Sequence, residues 1–199
     1  MKVSAVIFDL DGTITRPYLD FDLIRAEIGE VEGPILEAME QMSATGRQRA
    51  LEILHRHELG AAENSQLNPG VREVFSWLRE RQCFIGLITR NQRDSVERVC
   101  ARHQIRFDGV VTREDGPVKP DSFGVIKFCR EMGVPPEQTV VVGDYLFDLI
   151  SGRRAGAKSV LLATQQNYQD FRHEADYVIS SLEQLPEIIS QIENGRGKI

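Results

Sequence analysis

Two hydrophobic patterns alternate along the chain. Short, almost wholly apolar runs are each followed by a segment in which apolar residues recur every three or four positions. A short apolar run predicts a strand buried on both faces, whereas the three-to-four spacing predicts an amphipathic helix. Strands that alternate with helices indicate an α/β fold with a doubly wound parallel sheet. The predicted strands are residues 3–8, 84–88, 109–111, 139–142, 159–162 and 177–179.

Residues 16–66 interrupt this alternation, and we call them the helical insert. They contain no strand-like run, and their apolar residues have helical spacing. We predict two units: a core formed by residues 1–15 and 67–199, and a small α-helical domain, residues 16–66, inserted after the first strand. Glycine commonly ends a helix and asparagine commonly begins one. We therefore expect the third helix of the insert to end at Gly60 and the next helix to be capped by Asn68.

The first predicted strand ends in two carboxylates, Asp9 and Asp11. Residues two apart on an extended chain point the same way, so both side chains can converge on one ion or substrate before Gly12 lets the backbone turn. Carboxylates this close repel each other, and a divalent cation or a proton on one of them relieves the repulsion. An EF-hand loop also begins with alternating acids, but it needs further oxygen ligands and flanking helices. Here residues 13–17 follow a strand, which excludes the EF-hand.

Other polar residues also follow predicted strands. Thr89 comes after the second strand, Lys119 lies in the loop beyond the third, and Asp144 comes after the fourth. In an open parallel sheet, ligands bind beyond the carboxyl ends of the strands, where the strand order reverses. These three residues are therefore expected to meet Asp9 and Asp11 at one edge of the sheet.

Composition narrows the range of partners. The net charge of −6 at pH 7 argues against nucleic acid or an anionic membrane surface as the main partner. No apolar run has the length of a membrane span, and the apolar start is too short for a signal sequence. The three cysteines, Cys83, Cys100 and Cys129, form no metal-binding or redox pattern, which is typical of reduced thiols in a cytoplasmic protein.

Four ordered motifs carry a family resemblance. They are Asp-x-Asp-Gly-Thr at residues 9–13, Thr-Arg-Asn at 89–91, Lys-Pro at 119–120 and Gly-Asp-x-x-x-Asp at 143–148. In this order they closely resemble the motifs of the haloacid dehalogenase-like (HAD) superfamily, over nearly the whole chain. The helical insert resembles the small cap of the phosphoglycolate-phosphatase-like branch. The resemblance implies a Rossmann-like core and a hydrolase that uses Mg²⁺ to remove phosphate from a small phosphorylated metabolite.

The resemblance also implies a role for each motif residue. Asp9 is expected to be the nucleophile that forms an aspartyl-phosphate, and Asp11 the general acid and base. Asp9, the backbone carbonyl of Asp11, and Asp144 are expected to hold Mg²⁺. Asp148 is expected to orient Lys119 or the metal-bound waters, or merely to occupy the first turn of its helix. The expected phosphate ligands are Thr89, Arg90, Asn91 and Lys119.

Other activities of the same superfamily, and other functional classes, compete with this interpretation. Asp11 separates the chain from the dehalogenases, which lack an acid at this position. Residues 15–18 (Thr-Arg-Pro-Tyr) differ from the segment usual in sugar-phosphate mutases and in phosphoglycolate phosphatases, so a mutase is a less favoured alternative and the substrate stays open. A signalling receiver domain is also α/β, but its acceptor aspartate follows a later strand and it has no helical insert. A catalytically idle binding module is the third alternative, which an activity assay would test.

Overall fold

The computed structural model describes residues 2–29 and 31–195, and its core is a six-stranded parallel sheet. The strands are β1 (Ala5–Phe8), β2 (Phe84–Ile88), β3 (Gly109–Val111), β4 (Thr139–Gly143), β5 (Lys158–Leu162) and β6 (Tyr177–Ile179). Their order across the sheet is β3-β2-β1-β4-β5-β6. Each predicted strand is present close to its predicted bounds.

β1 lies in the middle of the sheet, between β2 and β4. Its four residues are all buried, and Phe8 lies opposite Leu87 on one side and Val142 on the other. From β1 the chain runs outward through β2 to β3, and it then returns to β4 and runs outward on the other side. The strand order therefore reverses between β1 and β4, so their carboxyl ends form the switch point at which such sheets bind ligands.

The α-helices of the described residues are α1 (Phe21–Ile28), α2 (Ile35–Glu40), α3 (Ala44–Asn64), α4 (Val71–Glu80), α5 (Arg93–His103), α6 (Phe123–Met132), α7 (Leu146–Ala155) and α8 (Leu185–Glu193). Helices α4 to α8 cover both faces of the sheet. On one face, α4, α5 and α8 share a buried core with Val6 and Phe8. On the other face, α6 shares a core with Ala5 and Ile7, and α7 packs beside it on β4 and β5. This arrangement confirms the predicted doubly wound α/β fold.

The helical insert contributes α1, α2 and α3. These helices share an apolar cluster formed by Ile24, Ile35, Met39, Ala50 and Leu54. The later part of α3 packs along α5, and Ala62 joins the core of the sheet. Division of the chain into two domains stays a prediction, and residues 1 and 196–199 of the predicted core lie outside the described residues.

α3 runs through Gly60 to Asn64, so the prediction that Gly60 ends it is wrong. A glycine within a helix costs about 0.5–1 kcal/mol relative to alanine. Ala61 and Ala62, which follow it, are both buried against neighbouring elements. Their packing offsets the glycine and carries the helix on, which the local sequence alone does not reveal.

The prediction that Asn68 caps α4 is also wrong. The residue that precedes α4 is Gly70, in the left-handed region with φ of 85°. The side-chain amide of Asn68 instead donates to the backbone carbonyls of Gly12 (3.0 Å), Thr13 (2.8 Å) and Thr15 (3.2 Å). The Asn68 side chain therefore binds three carbonyls of the turn after β1 and stabilises that turn. It does not cap α4.

Two smaller expectations concern membrane spans and thiols. Within residues 2–29 and 31–195, no helix combines the length and apolar composition needed to cross a membrane. The three cysteines are free thiols, and Cys83 and Cys129 are buried. Burial raises the pKa of the Cys83 thiol to about 12, so this side chain stays protonated and unreactive at neutral pH.

Candidate active site

The turn after β1 carries Asp9 and Asp11 to the switch point. The Asp9 amide donates to a carbonyl of β4 (3.0 Å), which extends the strand pairing by one residue. The chain then folds back, because the amides of Ile14 and Thr15 both donate to the Leu10 carbonyl (2.9 Å). Thr13 and Thr15 are buried beneath the turn. The two carboxylates are therefore held on backbone whose own polar groups are paired.

Two glycines let the backbone approach the carboxylates closely. Gly12 has a φ of 82°, and a Cβ built on it would lie 2.0 Å from an Asp144 carboxylate oxygen. A Cβ on Gly143 would lie 2.1 Å from the Asp148 carboxyl carbon. Both distances are far below van der Waals contact, so neither position accepts a larger residue without moving an acid of the site.

Lys119 is the cation of the site. Its ammonium lies 2.5 Å from Asp9 Oδ1 and 2.6 Å from Asp148 Oδ1, and its side chain is only 6% exposed. Burial alone would lower the pKa of Lys119, but the Asp148 and Asp9 charges outweigh burial and raise this pKa above its usual value. Lys119 is therefore a permanent positive charge that joins the end of β1 to the start of α7.

Asp9, Asp144 and Asp148 form a cluster in which one carboxylate oxygen of each lies within 4.8 Å of the others. Burial, opposed by Lys119 and reinforced by Asp148 and Asp144, raises the pKa of Asp9 well above its usual range. Burial and then the Asp148 charge raise the pKa of Asp144 to about 7. One lysine among three acids leaves negative charge unbalanced, and carboxylate oxygens are the ligands that Mg²⁺ prefers. The donor set therefore fits a hard divalent cation.

The loop after β5 also contacts Asp144, which the sequence interpretation missed. Gln165 Nε2 donates to Asp144 Oδ2 (2.5 Å), and the Thr164 hydroxyl lies 3.4 Å from the same oxygen. Thr164 also donates to the Gly12 carbonyl (3.2 Å). Both residues lie within three positions of the end of a predicted strand, so the rule that selected Asp144 would have selected them too.

Asp11 lies on the β2 side of the site. Its Oδ2 accepts a hydrogen bond from Asn91 Nδ2 (2.6 Å), and Thr15 Oγ1 lies 3.4 Å from its Oδ1. Burial raises the pKa of Asp11, although the Asn91 hydrogen bond opposes the rise. Thr89 Oγ1 accepts from the Asn91 amide (3.2 Å), so the predicted phosphate ligands Thr89 and Asn91 are ordered together beside Asp11. The Asp11 carboxylate is outside the acidic cluster, which leaves it available for proton transfer.

Arg90 is placed differently from the other motif residues. Its guanidinium donates to the Lys119 carbonyl (2.9 Å) and to Glu37 Oε2 of α2 (2.5 Å). It also lies over the Phe147 ring, 4.8 Å from the ring centre. Arg90 therefore joins the core to the helical insert at the edge of the site, and its contacts are with the wall of the site and not with Asp9 or Asp11.

A buried ion pair lies behind Asn91, between Glu58 of α3 and Arg113 beyond β3. Their side chains are 2% and 7% exposed. Glu58 also accepts from the Gln92 amide (3.3 Å), and Arg113 donates to the Arg90 carbonyl (3.0 Å). The sequence interpretation missed this pair. Its signal is the position of Glu58 on the apolar face of α3, with the other buried residues of the helix, Ala50, Ile53, Leu54, Ala61 and Ala62.

A cleft of about 340 Å³ separates the helical insert from the core. Its insert wall comes from α2 and α3 and includes Arg47 and Leu51. Its core wall includes Gln92, which follows Asn91, and Val118, which precedes Lys119. The cleft therefore adjoins the two segments that contact Asp11 and Asp9, and its lining is both apolar and charged.

Comparison with known proteins agrees with the geometry. The model of one family, haloacid dehalogenase-like hydrolase, matches residues 3–156. A haloacid dehalogenase-like hydrolase domain-containing protein of Arabidopsis thaliana is 31% identical over 206 residues, which cover 94% of this chain and 84% of the relative. A pyrophosphatase PpaX of Bacillus mycoides is 27% identical over 220 residues, which cover 96% of this chain and 99% of the relative.

Solved structures share the fold. A β-phosphoglucomutase of Clostridium difficile superimposes with a TM-score of 0.78, over 97% of this chain and 98% of that protein. The two sequences are only 18% identical. At this identity the likeness supports a common architecture and carries no conclusion about the reaction.

Proposed function

Because the chain belongs to the haloacid dehalogenase-like hydrolase family, we propose that it is a Mg²⁺-dependent phosphatase of small phosphorylated metabolites. We propose further that it acts through an aspartyl-phosphate on Asp9. The position of Lys119 carries this proposal, since its buried ammonium lies 2.5 Å from Asp9 and 2.6 Å from Asp148 at the switch point of the sheet. The Lys119 charge opposes the rise that burial causes in the pKa of Asp9, and so favours the carboxylate form that the covalent step requires.

The reaction would take two steps. In the first, an Asp9 oxygen attacks phosphorus, the bond to the leaving-group oxygen breaks, and Asp11 gives that oxygen a proton. In the second, Asp11 takes a proton from a water that attacks the aspartyl-phosphate, which releases inorganic phosphate and restores Asp9. Burial raises the pKa of Asp11, which favours the protonated acid that the first step requires.

Positive charge is needed because phosphate and Asp9 repel each other. Two unit charges about 4 Å apart interact by roughly 4 kcal/mol at an effective dielectric of 20. Lys119 supplies one positive charge, and Mg²⁺ supplies more when it is bound. We propose that Asp9, Asp144 and the Asp11 backbone carbonyl hold the metal and that Asp148 orients Lys119. Phosphate would be bound by Lys119, Thr89 and Asn91, with Arg90 at the edge of the site.

We propose that residues 16–66 act as a cap domain and that the leaving group lies in the cleft between this cap and the core. The volume of the cleft, about 340 Å³, is within the range usual for pockets that bind small molecules. Pyrophosphate is a second candidate substrate, because relatives that match nearly the whole chain are named pyrophosphatases. The free thiols support a reducing, cytoplasmic location.

Released phosphate is the measurement that tests this function. The purified chain would be incubated with glycerol phosphate, nitrophenyl phosphate, sugar phosphates and pyrophosphate, with Mg²⁺ or with a chelator. We expect phosphate release from at least one of them with Mg²⁺ and its loss in chelator. Undiminished release in chelator would contradict the metal requirement. Isomerisation of a sugar phosphate without phosphate release would favour the mutase instead.

A further inference from the structure

Asn91 is the residue through which the segment after β2 contacts the Asp11 carboxylate. Its side-chain amide donates to Asp11 Oδ2 at 2.6 Å. The Asn91 side chain is short and only 7% exposed, so the position of its backbone sets the position of its side-chain amide. The orientation of the Asp11 carboxyl therefore depends on what fixes the backbone of residues 90–92.

The side chains of Glu58 and Arg113 hold that backbone on both sides of Asn91, and a backbone hydrogen bond from residue 113 holds Asn91 itself. Arg113 Nη1 donates to the Arg90 carbonyl (3.0 Å), and the Arg113 amide donates to the Asn91 carbonyl (3.3 Å). Glu58 Oε2 accepts from the Gln92 amide (3.3 Å). Glu58 and Arg113 also contact each other, so the two side chains form one clamp across the segment.

A contribution to the stability of the fold does not by itself explain the clamp. A buried ion pair rarely stabilises a fold more than apolar side chains of similar volume, because both charges lose their water. Three buried side-chain atoms of the described residues lack a hydrogen-bond partner: His55 Nδ1, Ser95 Oγ and Arg113 Nη2. All three lie on α3, on α5 or in the clamp itself. Buried polar atoms without partners call for an explanation other than stability.

Glu58 is also close enough to Asp11 for their charges to interact. Burial raises the pKa of Glu58 to about 7, against the lowering effects of Arg113 and the Gln92 hydrogen bond, and the Asp11 charge adds to the rise. The charges of the Glu58 and Asp11 carboxyl groups therefore affect each other.

We propose that Glu58 and Arg113 are positioning residues for proton donation: they fix the backbone around Asn91, and Asn91 then aims the Asp11 carboxyl at the leaving-group oxygen. The inference rests on the proposed phosphatase function and adds two residues to it. α3 is a single 21-residue helix, and it lines the leaving-group cleft with Arg47 and Leu51 and supplies Glu58. One rigid helix thus sets both where the leaving group lies and where its proton comes from.

Two variants and a matched control test the clamp. Glu58→Gln keeps the shape but leaves the Arg113 charge unpaired, whereas the double variant Glu58→Met, Arg113→Met removes both charges and keeps similar volume. The control is Glu63→Gln on the same helix, since Glu63 is 62% exposed and its ion pair with Arg98 also joins α3 to α5. Single-turnover bursts would be measured with glycerol phosphate and with nitrophenyl phosphate, together with half-saturating concentrations and melting temperatures.

Loss of proton donation has a specific signature. General acid catalysis is typically worth about 10²–10⁴-fold, so a misdirected Asp11 should cost the glycerol phosphate burst about 10–100-fold. The nitrophenyl burst should stay within about threefold, because nitrophenolate leaves without a proton. The half-saturating concentration of Glu58→Gln should match that of the wild type, since Glu58 does not line the cleft. The double variant should show the same selective loss at an unchanged or higher melting temperature, and the control should match the wild type.

Three outcomes would contradict the inference. Equal losses with both esters, or a glycerol phosphate burst restored in the double variant, would assign the pair to structure alone. If Glu58→Gln and the double Met variant both gave bursts as large as those of the wild type, Asn91 would not need the clamp. A wild-type chain that releases no phosphate from any ester would overturn the proposed function itself, which distinguishes that failure from the other three results.

Discussion

Asp9 is the residue on which the proposed covalent step depends. Asp9→Asn removes the attacking carboxylate but leaves Lys119 paired with Asp148, so the fold should survive. We expect at least about 10³-fold loss of phosphate release at an unchanged half-saturation, since the change removes a transition-state interaction. Asp170→Asn, an exposed acid outside the site, is the control.

The covalent route has its own readout. Beryllium fluoride mimics a phosphoryl group, and it should bind Asp9 in the wild type with Mg²⁺ and fail to bind the Asn variant. Substantial turnover by Asp9→Asn would mean that water attacks phosphorus directly.

Asp11 differs from Asp9 because its role depends on the leaving group. An alkyl oxygen needs a proton as it leaves, whereas nitrophenolate does not, so Asp11→Asn should reduce the glycerol phosphate burst by about 10²–10⁴-fold and the nitrophenyl burst far less. Hydrolysis of the aspartyl-phosphate still needs a base, so the nitrophenyl reaction should accumulate phosphorylated Asp9, detectable by mass. Equal burst losses would instead give Asp11 a purely geometric role.

Two arginines of α3 allow a test of whether the helical insert sets substrate specificity. Arg47 lines the cleft beside the site, whereas Arg49 lies in a separate groove with Glu27 and Arg56. Arg47→Gln should change the rank order of substrates, with a several-fold rise in half-saturation for those whose leaving group is anionic. Arg49→Gln should leave the order unchanged, and hydrolysis of nitrophenyl phosphate should stay nearly constant in both. Identical substrate rankings in the two variants would place specificity elsewhere.

The strands and the motif residues at their ends could be predicted because both signals are local. An apolar run marks a buried strand, and the carboxyl-end rule then brings Asp9, Asp11, Lys119 and Asp144 together without a structure. Applied to β5, the same rule would also have found Gln165, which contacts Asp144 at 2.5 Å.

The missed features depend on contacts between distant parts of the chain. Asn68 has the sequence of a helix cap, yet three carbonyls of the turn after β1 compete for its amide. Glu58 lies on the apolar face of α3, but its partner Arg113 is 55 residues away in the chain, so the pair is not a local signal. Gly60 stays helical because its neighbours are buried. For Asn68 and Gly60, tertiary packing overrides a local preference of the residue.

For the molecule as a whole, the acidic cluster predicts how stability varies with pH. The pKa of Asp144 is raised from 3.8 to about 7, so the fold holds a proton there that the unfolded chain has lost. Its contribution to stability is present below 3.8 and is lost as the pH rises through about 7. The melting temperature in chelator should therefore fall between about pH 4 and pH 7 and level off at higher pH. Each kcal/mol corresponds to about 2–4 °C for a chain of this size.

Mg²⁺ should oppose this fall in melting temperature with pH, because it binds the deprotonated carboxylates. We expect it to raise the melting temperature more at pH 8 than at pH 5. Asp144→Asn removes one titrating group, and it should weaken both the slope with pH and the effect of Mg²⁺. A variant with the slope and metal response of the wild type would show that other groups control both.

The central place of β1 has a consequence for synthesis of the protein. Residues 5–8 leave the ribosome before either strand that will flank them, since β2 begins at Phe84 and β4 at Thr139. At about 5–20 residues per second, this apolar strand waits several seconds for its first neighbour and longer for its second. During that interval both of its edges can pair with other chains, so nascent chains stalled between β1 and β2 should be the aggregation-prone species and the ones that chaperones bind.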